Sequence, residues 1–162
     1  MRKSNLITAV WQIIAAIVIL LLDQTTKAYV LNNVSVGEIF GELPYVADFI
    51  FVKNTGAAFS ILSNNTWLLS AISVIFVIAI FVYRVIAKPR GVLLNIVIVL
   101  FFAGALGNAI DRVALGYVVD FISIKWFEFP VFNIADMAIV MGAALAVIYV
   151  MFFDKDGDKS NG

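Results

Sequence analysis

The chain has 162 residues, 63% of them hydrophobic and 14% charged, and its mean hydropathy is +1.03, which lies outside the range of water-soluble domains and reads as an integral membrane protein. A formal charge of zero, with no basic stretch interleaved with aromatics, sets nucleic-acid binding aside. The absence of cysteine and histidine removes disulfides, thiolate chemistry and the usual zinc ligands, leaving carboxylate, Ser/Lys or tyrosine chemistry.

A helix needs about 20 mostly apolar residues to cross a bilayer. Charge-free runs at Ser4–Leu22, Asn54–Tyr83, Gly91–Ile110 and Met137–Phe153 therefore predict four spans, placed at about 4–22, 67–83, 91–110 and 134–153. The first follows Arg2 and Lys3 but has no small-residue cleavage site before Asp23, so it reads as a retained span rather than a removed signal. The next segment, 23–66, is a long loop. Gly41 and Pro44 break any helix there, and Asp48–Lys53 reads as a strand ending in the turn Asn54-Thr-Gly56. Arg84, Lys88 and Arg90 fill the turn 84–90, and loops near span ends that collect Lys and Arg are cytoplasmic. Both termini then lie in the cytoplasm, and the loops 23–66 and 111–133 lie outside. From Asp23 to Asp136 these outer regions hold eight of the eleven acids.

The second outer loop carries a strand-like stretch, Gly116–Lys125, and then an apolar run to Phe132 interrupted by Pro130. A small outer β-platform built from both loops is expected, ringed by Tyr29, Tyr45, Trp67, Tyr117 and Trp126 at the interface. The tail 154–162 contains Asp154-Lys-Asp-Gly-Asp158, which lacks the spacing and late glutamate of a calcium loop and reads as a solvated tail. There is no internal repeat and no room for a second core, so residues 1–162 form one domain.

Polar residues at span ends carry the chemistry. Asp23 and Lys27 are four apart where the first run closes; they form either a helical ion pair or part of a site. Asn54 and Gly56 serve a turn or present amides to an extended peptide. In Ala103–Arg112, Gly104, Ala105 and Gly107 allow close helix approach, while Asn108, Asp111 and Arg112 project from one face. Asn133 and Asp136 are spaced as a helix N-cap and its third residue. Asp120 has no such structural excuse, standing between Val119 and Phe121 in an apolar strand. Two carboxylates brought together in a low-dielectric site cannot both ionise readily, so one keeps its proton while the other serves as a base.

Asp23–Lys27, Asn54–Phe59, Gly107–Arg112, Val118–Phe121 and Phe132–Asp136, taken in order, resemble the motif set of bacterial lipoprotein signal peptidase, or signal peptidase II. The resemblance covers all four spans and both outer loops. Ala103 stands where the family often has another glycine, which touches local packing alone. The resemblance implies an integral membrane, mainly α fold of four transmembrane helices, a small extracytoplasmic β-cradle and a short interfacial helical segment. It implies an aspartic endopeptidase of the bacterial cytoplasmic membrane. Its substrates would be prolipoproteins, cut just before a cysteine that already carries diacylglycerol. Asp120 and Asp136 would be the catalytic pair, with Asn54, Gly56, Asn108, Arg112 and Asn133 around the substrate and Asp23, Lys27 and Asp111 binding or bracing. No cofactor or metal is implied, the partners are the prolipoproteins and membrane lipids, and a monomer suffices. The rival readings are a small transporter or channel, which would place polar residues nearer the bilayer midplane, a Ser/Lys protease using Ser60 or Ser123 with Lys53 or Lys125, and a structural adaptor.

Overall fold

The computed structural model describes residues 2–56 and 66–153, with side chains from residue 7 onward. In chain order the elements are α1 (Arg2–Asn33), β1 (Ile39–Leu43), β2 (Ala47–Asn54), α2 (Thr66–Ala87), α3 (Val92–Leu115), β3 (Val118–Ile124) and α4 (Ile134–Phe152). All four helices are long and apolar enough to cross a membrane. α3 is the central one, because 56% of its apolar window is buried against 6–17% for the other three.

Two helices extend beyond the charges that bound the apolar runs. α1 continues through Asp23 and Lys27 to Asn33, and α3 continues through Asp111 and Arg112 to Leu115. The loops that the sequence places at 23–66 and 111–133 therefore begin as helix. An ion pair between Asp23 and Lys27 supports the helix it lies on instead of ending it, since residues four apart share a face. α3 stops at Gly116, whose left-handed backbone (φ 79°) lets its N–H donate to the Arg112 carbonyl and turns the chain back within two residues into β3.

The strands form one antiparallel sheet in the order β1-β2-β3. β2 and β3 fulfil the expected strands. β1 runs through Gly41, where the sequence excluded a helix and named no strand; glycine weakens a strand without forbidding it, and here a register irregularity beside Gly41 absorbs it on an edge. A second irregularity in β2, between Phe49 and Val52, sets Val52 opposite Asp120. Val30 of α1 packs with Phe51, Val119 and Phe121 as the core beneath the sheet, so β3 is covered on both faces and none of Val118–Phe121 is exposed. No further helix occurs among the described residues. Phe59, Ser60 and the 154–162 tail lie outside them.

Tight helix contact requires the small residues of α3. A Cβ on Gly104 would stand 2.5 Å from the Ala135 carbonyl oxygen and 2.8 Å from Ile139 Cγ1, whereas on Gly142 of α4 the nearest atom is Leu100 Cβ at 3.3 Å. Backbone cannot yield as a side chain can. We expect Gly104→Ala to lower stability by about 1–3 kcal/mol, the usual range for overpacking, and Gly142→Ala to cost less. Thermal unfolding of both variants in one detergent checks this; equal melting temperatures would contradict the α3–α4 contact.

Candidate active site

The polar residues flagged in sequence converge where α1 and α3 end, α4 begins and β3 crosses them. Asp120, 1% exposed, accepts two side-chain amide hydrogen bonds. Asn133 Nδ2 donates to its Oδ1 at 2.6 Å, and Asn54 Nδ2 donates to its Oδ2 at 2.8 Å. Asn54 reaches it because β2 pairs with β3 through Asn54 opposite Val118, one pleat from Asp120 on the same face. The Gly56 N–H donates to Asn54 Oδ1 at 3.0 Å, so the turn after β2 fixes which end of the amide faces the carboxylate.

Asp136 is held by the helix it starts. Asn133 is the N-cap: its Oδ1 accepts from the Asp136 N–H at 2.9 Å, and Asp136 Oδ2 accepts from the Asn133 N–H at 3.3 Å, completing a capping box. The structural and the chemical readings of this pair coexist. Asn133 uses its oxygen for the cap and its amide nitrogen for Asp120, so one side chain links both aspartates. Asn108 Nδ2 donates to Asp136 Oδ1 at 2.7 Å.

Beneath the pair lies a buried ionic cluster. Lys27 Nζ sits 2.9 Å from Asp23 Oδ2 and 3.2 Å from Asp111 Oδ2, and donates to Asn108 Oδ1 at 3.0 Å. Each carboxylate uses a remaining oxygen lone pair on backbone elsewhere. Asp23 Oδ1 accepts from the Ala135 N–H in the first turn of α4 at 2.9 Å, and Asp111 Oδ2 accepts from the Val119 N–H of β3 at 3.0 Å. Gln24, which the sequence reading passed over, donates to Asp23 Oδ2, Asp111 Oδ1 and the Gly107 carbonyl at 3.1–3.2 Å. Its position inside the polar stretch from Asp23 to Lys27 was the available signal. A Cβ at Gly107 would fall 2.6 Å from Asp23 Oδ2, so glycine makes room for this carboxylate.

Arg112 does not share the direct contacts of Asn108 and Asp111. Its Nη1 donates to Ser73 of α2 at 3.2 Å and its carbonyl accepts from Ser70, which ties α2 to α3 beside the cluster. Four residues on from Asn108 is a turn of slightly more than 360°, and the longer side chain swings to the neighbouring helix.

Burial, and secondarily the nearby Asp136 carboxylate, pushes the Asp120 carboxyl up to about 7, against the hydrogen bonds from Asn54 and Asn133. A proton can therefore reside on this pair at neutral pH. The lysines of the Ser/Lys alternative are poorly suited to act as bases. Lys53 is exposed over the Tyr117 ring, and Lys125 pairs with Asp48 and Glu42, whose hydrogen bonds raise its pKa and keep it protonated. Among the described residues no group of three acidic side chains could hold a metal ion.

The chain matches the family described as Signal peptidase (SPase) II over residues 15–152. A lipoprotein signal peptidase of Shewanella pealeana is 40% identical over 152 residues, covering 90% of this chain and 89% of that protein. One from Halothermothrix orenii is 36% identical, covering 90% and 98%. A solved structure described as a bacterial membrane enzyme superposes with a TM-score of 0.83 at 33% identity, over 93% of this chain and 92% of that one. The matched region contains the whole cluster of Asp23, Lys27, Asn108, Asp111, Asp120, Asn133 and Asp136, and the chain belongs to the signal peptidase II family.

Proposed function

We propose that Asp120 and Asp136 together activate the water that hydrolyses the signal peptide of a prolipoprotein, the cut falling before a diacylglyceryl-modified cysteine. The chain is a membrane protease of the signal peptidase II family, and removal of signal peptides from prolipoproteins is its activity. The observation that carries the two-aspartate reading is Asn133: one amide bonded to Asp120 and capping the helix turn that holds Asp136 keeps the buried Asp120 and the half-buried Asp136 in one site. In the singly protonated pair, the ionised carboxylate takes a proton from water as it attacks the carbonyl. The protonated one hydrogen-bonds the developing oxyanion and then protonates the leaving amine. Which aspartate plays which part belongs to the pair as a whole.

The charge pattern supports an orientation with the site at the extracytoplasmic face. Arg84, Lys88 and Arg90 surround the α2–α3 turn at the far end of the bundle, and cytoplasmic ends collect such charges. The substrate's acyl chains would stay in the outer leaflet and hold the scissile bond at the depth of the aspartates, so that anchoring supplies much of the positioning. A monomer contains every group this scheme uses.

Asp120→Asn and Asp136→Asn should each lower kcat by about a thousand-fold or more, since an amide neither accepts the water proton nor supplies one. Cleavage of a lipidated prolipoprotein by the purified variants tests this, and near-normal turnover in either would remove the pair from the mechanism.

The pH behaviour follows from Asp120. Its carboxyl titrates near 7 when folded but near the ordinary carboxylate value when unfolded, so between those pH values the folded state binds more protons and its stability falls as pH rises. Melting temperature should therefore drop from pH 5 to pH 8, and by less in Asp120→Asn. kcat/KM should decline above about pH 7 as the pair loses its shared proton. An alkaline limb beginning beyond pH 9 would contradict this protonation state.

An unlipidated form of the same prolipoprotein should be cut with kcat/KM at least about a hundred-fold lower, because each buried methylene contributes about 0.8 kcal/mol before discounting for prior residence in the bilayer. Equal values in one detergent would mean that the peptide alone is recognised.

A further inference from the structure

At the end of the bundle away from the aspartates lies a second polar group that the hydrolytic scheme leaves unused. Gln12 of α1 and Asn95 of α3, both buried, are joined by a 2.7 Å hydrogen bond, and Arg84 of α2 donates through Nε to Gln12 Oε1 at 2.8 Å. No other hydrogen bond of the Arg84 guanidinium occurs among the described residues, so two of its nitrogens are uncommitted. From Arg84 a groove of about 440 Å³ runs between α1 and α2 along α3, lined by Ile13, Ile17, Phe81, Val99 and Phe102 and reaching Leu20 and Leu106. α1 and α2 each pack on α3 and hardly touch one another, which leaves the groove open along its side.

Its dimensions select an occupant. Along α1 it extends from Ala9 to Leu20, about 17 Å at 1.5 Å per residue, which is close to one leaflet of a hydrocarbon core about 30 Å thick. Its lining is apolar apart from Gln12 and Arg84, which suits a single acyl chain along its length with a polar group at the Arg84 end. Charge selects the headgroup. Arg84, Lys88 and Arg90 lie within seven residues, and no acidic residue occurs between Asp48 and Asp111. The basic leading segment of a signal peptide would be repelled there, and a phosphate would be attracted. Arg84 lies within one turn of the end of α2 and Asn95 within one turn of the start of α3, the level at which a headgroup phosphate meets a spanning helix.

We infer that the groove between α1 and α2 holds one acyl chain of an anionic phospholipid whose phosphate is bound by the Arg84 guanidinium. The lipid fills the gap between two helices that lack a direct packing contact. Gln12, held by Asn95, fixes the guanidinium at the lining of the groove.

The test measures retention of phosphatidylglycerol and of phosphatidylcholine with the same acyl chains by the purified full chain, using native mass spectrometry from one detergent. Phosphatidylglycerol should be preferred, and Arg84→Gln should weaken its binding at least about five-fold, the ratio expected for one surface basic charge. Arg90→Gln, which removes the same charge outside the groove, should have a smaller effect. Ala16→Phe should block retention by filling the groove, and Ile17→Trp does the same from its half-exposed rim should the first variant not fold. None of these positions touches the aspartates, so cleavage of a lipidated prolipoprotein in detergent reports folding and should persist. Equal retention of the two lipids, unchanged binding in Arg84→Gln, an equal loss in Arg90→Gln, or full binding in the groove-filling variants would each overturn the assignment.

Discussion

The structure of this site depends on Lys27. This residue, 2% exposed, places its ammonium between the carboxylates of Asp23 and Asp111, and each of these holds a different part of the candidate site. Asp23 holds the first turn of α4, and with it Asp136, through the Ala135 N–H. Asp111 holds β3, and with it Asp120, through the Val119 N–H. Two carboxylates buried together without a cation would repel each other and would have to take up protons, losing acceptor strength toward those backbone amides. One lysine therefore lets α1 and α3 grip both a helix end and a strand in a low-dielectric setting.

Amide side chains then set the geometry above the lysine. Asn108 accepts from Lys27 and from Asn133 through Oδ1, which leaves its Nδ2 to donate to Asp136. Asn133 accepts from the backbone through Oδ1, which leaves its Nδ2 for Asp120. Asn54 is oriented likewise by the Gly56 N–H. Each amide is locked at one end by a charge or a backbone group and offers the other end to a carboxylate. Among the described residues no buried side-chain donor or acceptor lacks a partner, so these orientations cost no orphaned groups. The resulting frame keeps Asp120 and Asp136 in one site, linked through Asn133.

Small residues make the frame possible. At Gly104 and Gly107 the start of α4 and the Asp23 carboxylate lie closer to α3 than any side chain would permit. Without a hydrophobic driving force between helices in lipid, such close contact and the hydrogen bonds it shortens carry the association. α3 is therefore both the central packing helix and the one that supplies Asn108 and Asp111.

The sequence alone determined four apolar helices, the strands around Asp48–Lys53 and Gly116–Lys125, and the identity of nearly every residue in the cluster. Hydropathy sets span count because hydrocarbon tolerates few charges, and a buried carboxylate without a local excuse, such as Asp120, stands out for the same reason. The tertiary structure decided what those residues do to one another. That Gln24 joins Asp23 and Lys27, that Asp23 holds the start of α4, and that Arg112 turns to Ser73 while Asn108 turns to Asp136 all depend on partners 28 to 112 positions away in the chain. Periodicity reports which face of an element a residue occupies. The partner waiting on that face is set by how the helices pack, and a polar side chain's role in a buried site is defined by that partner.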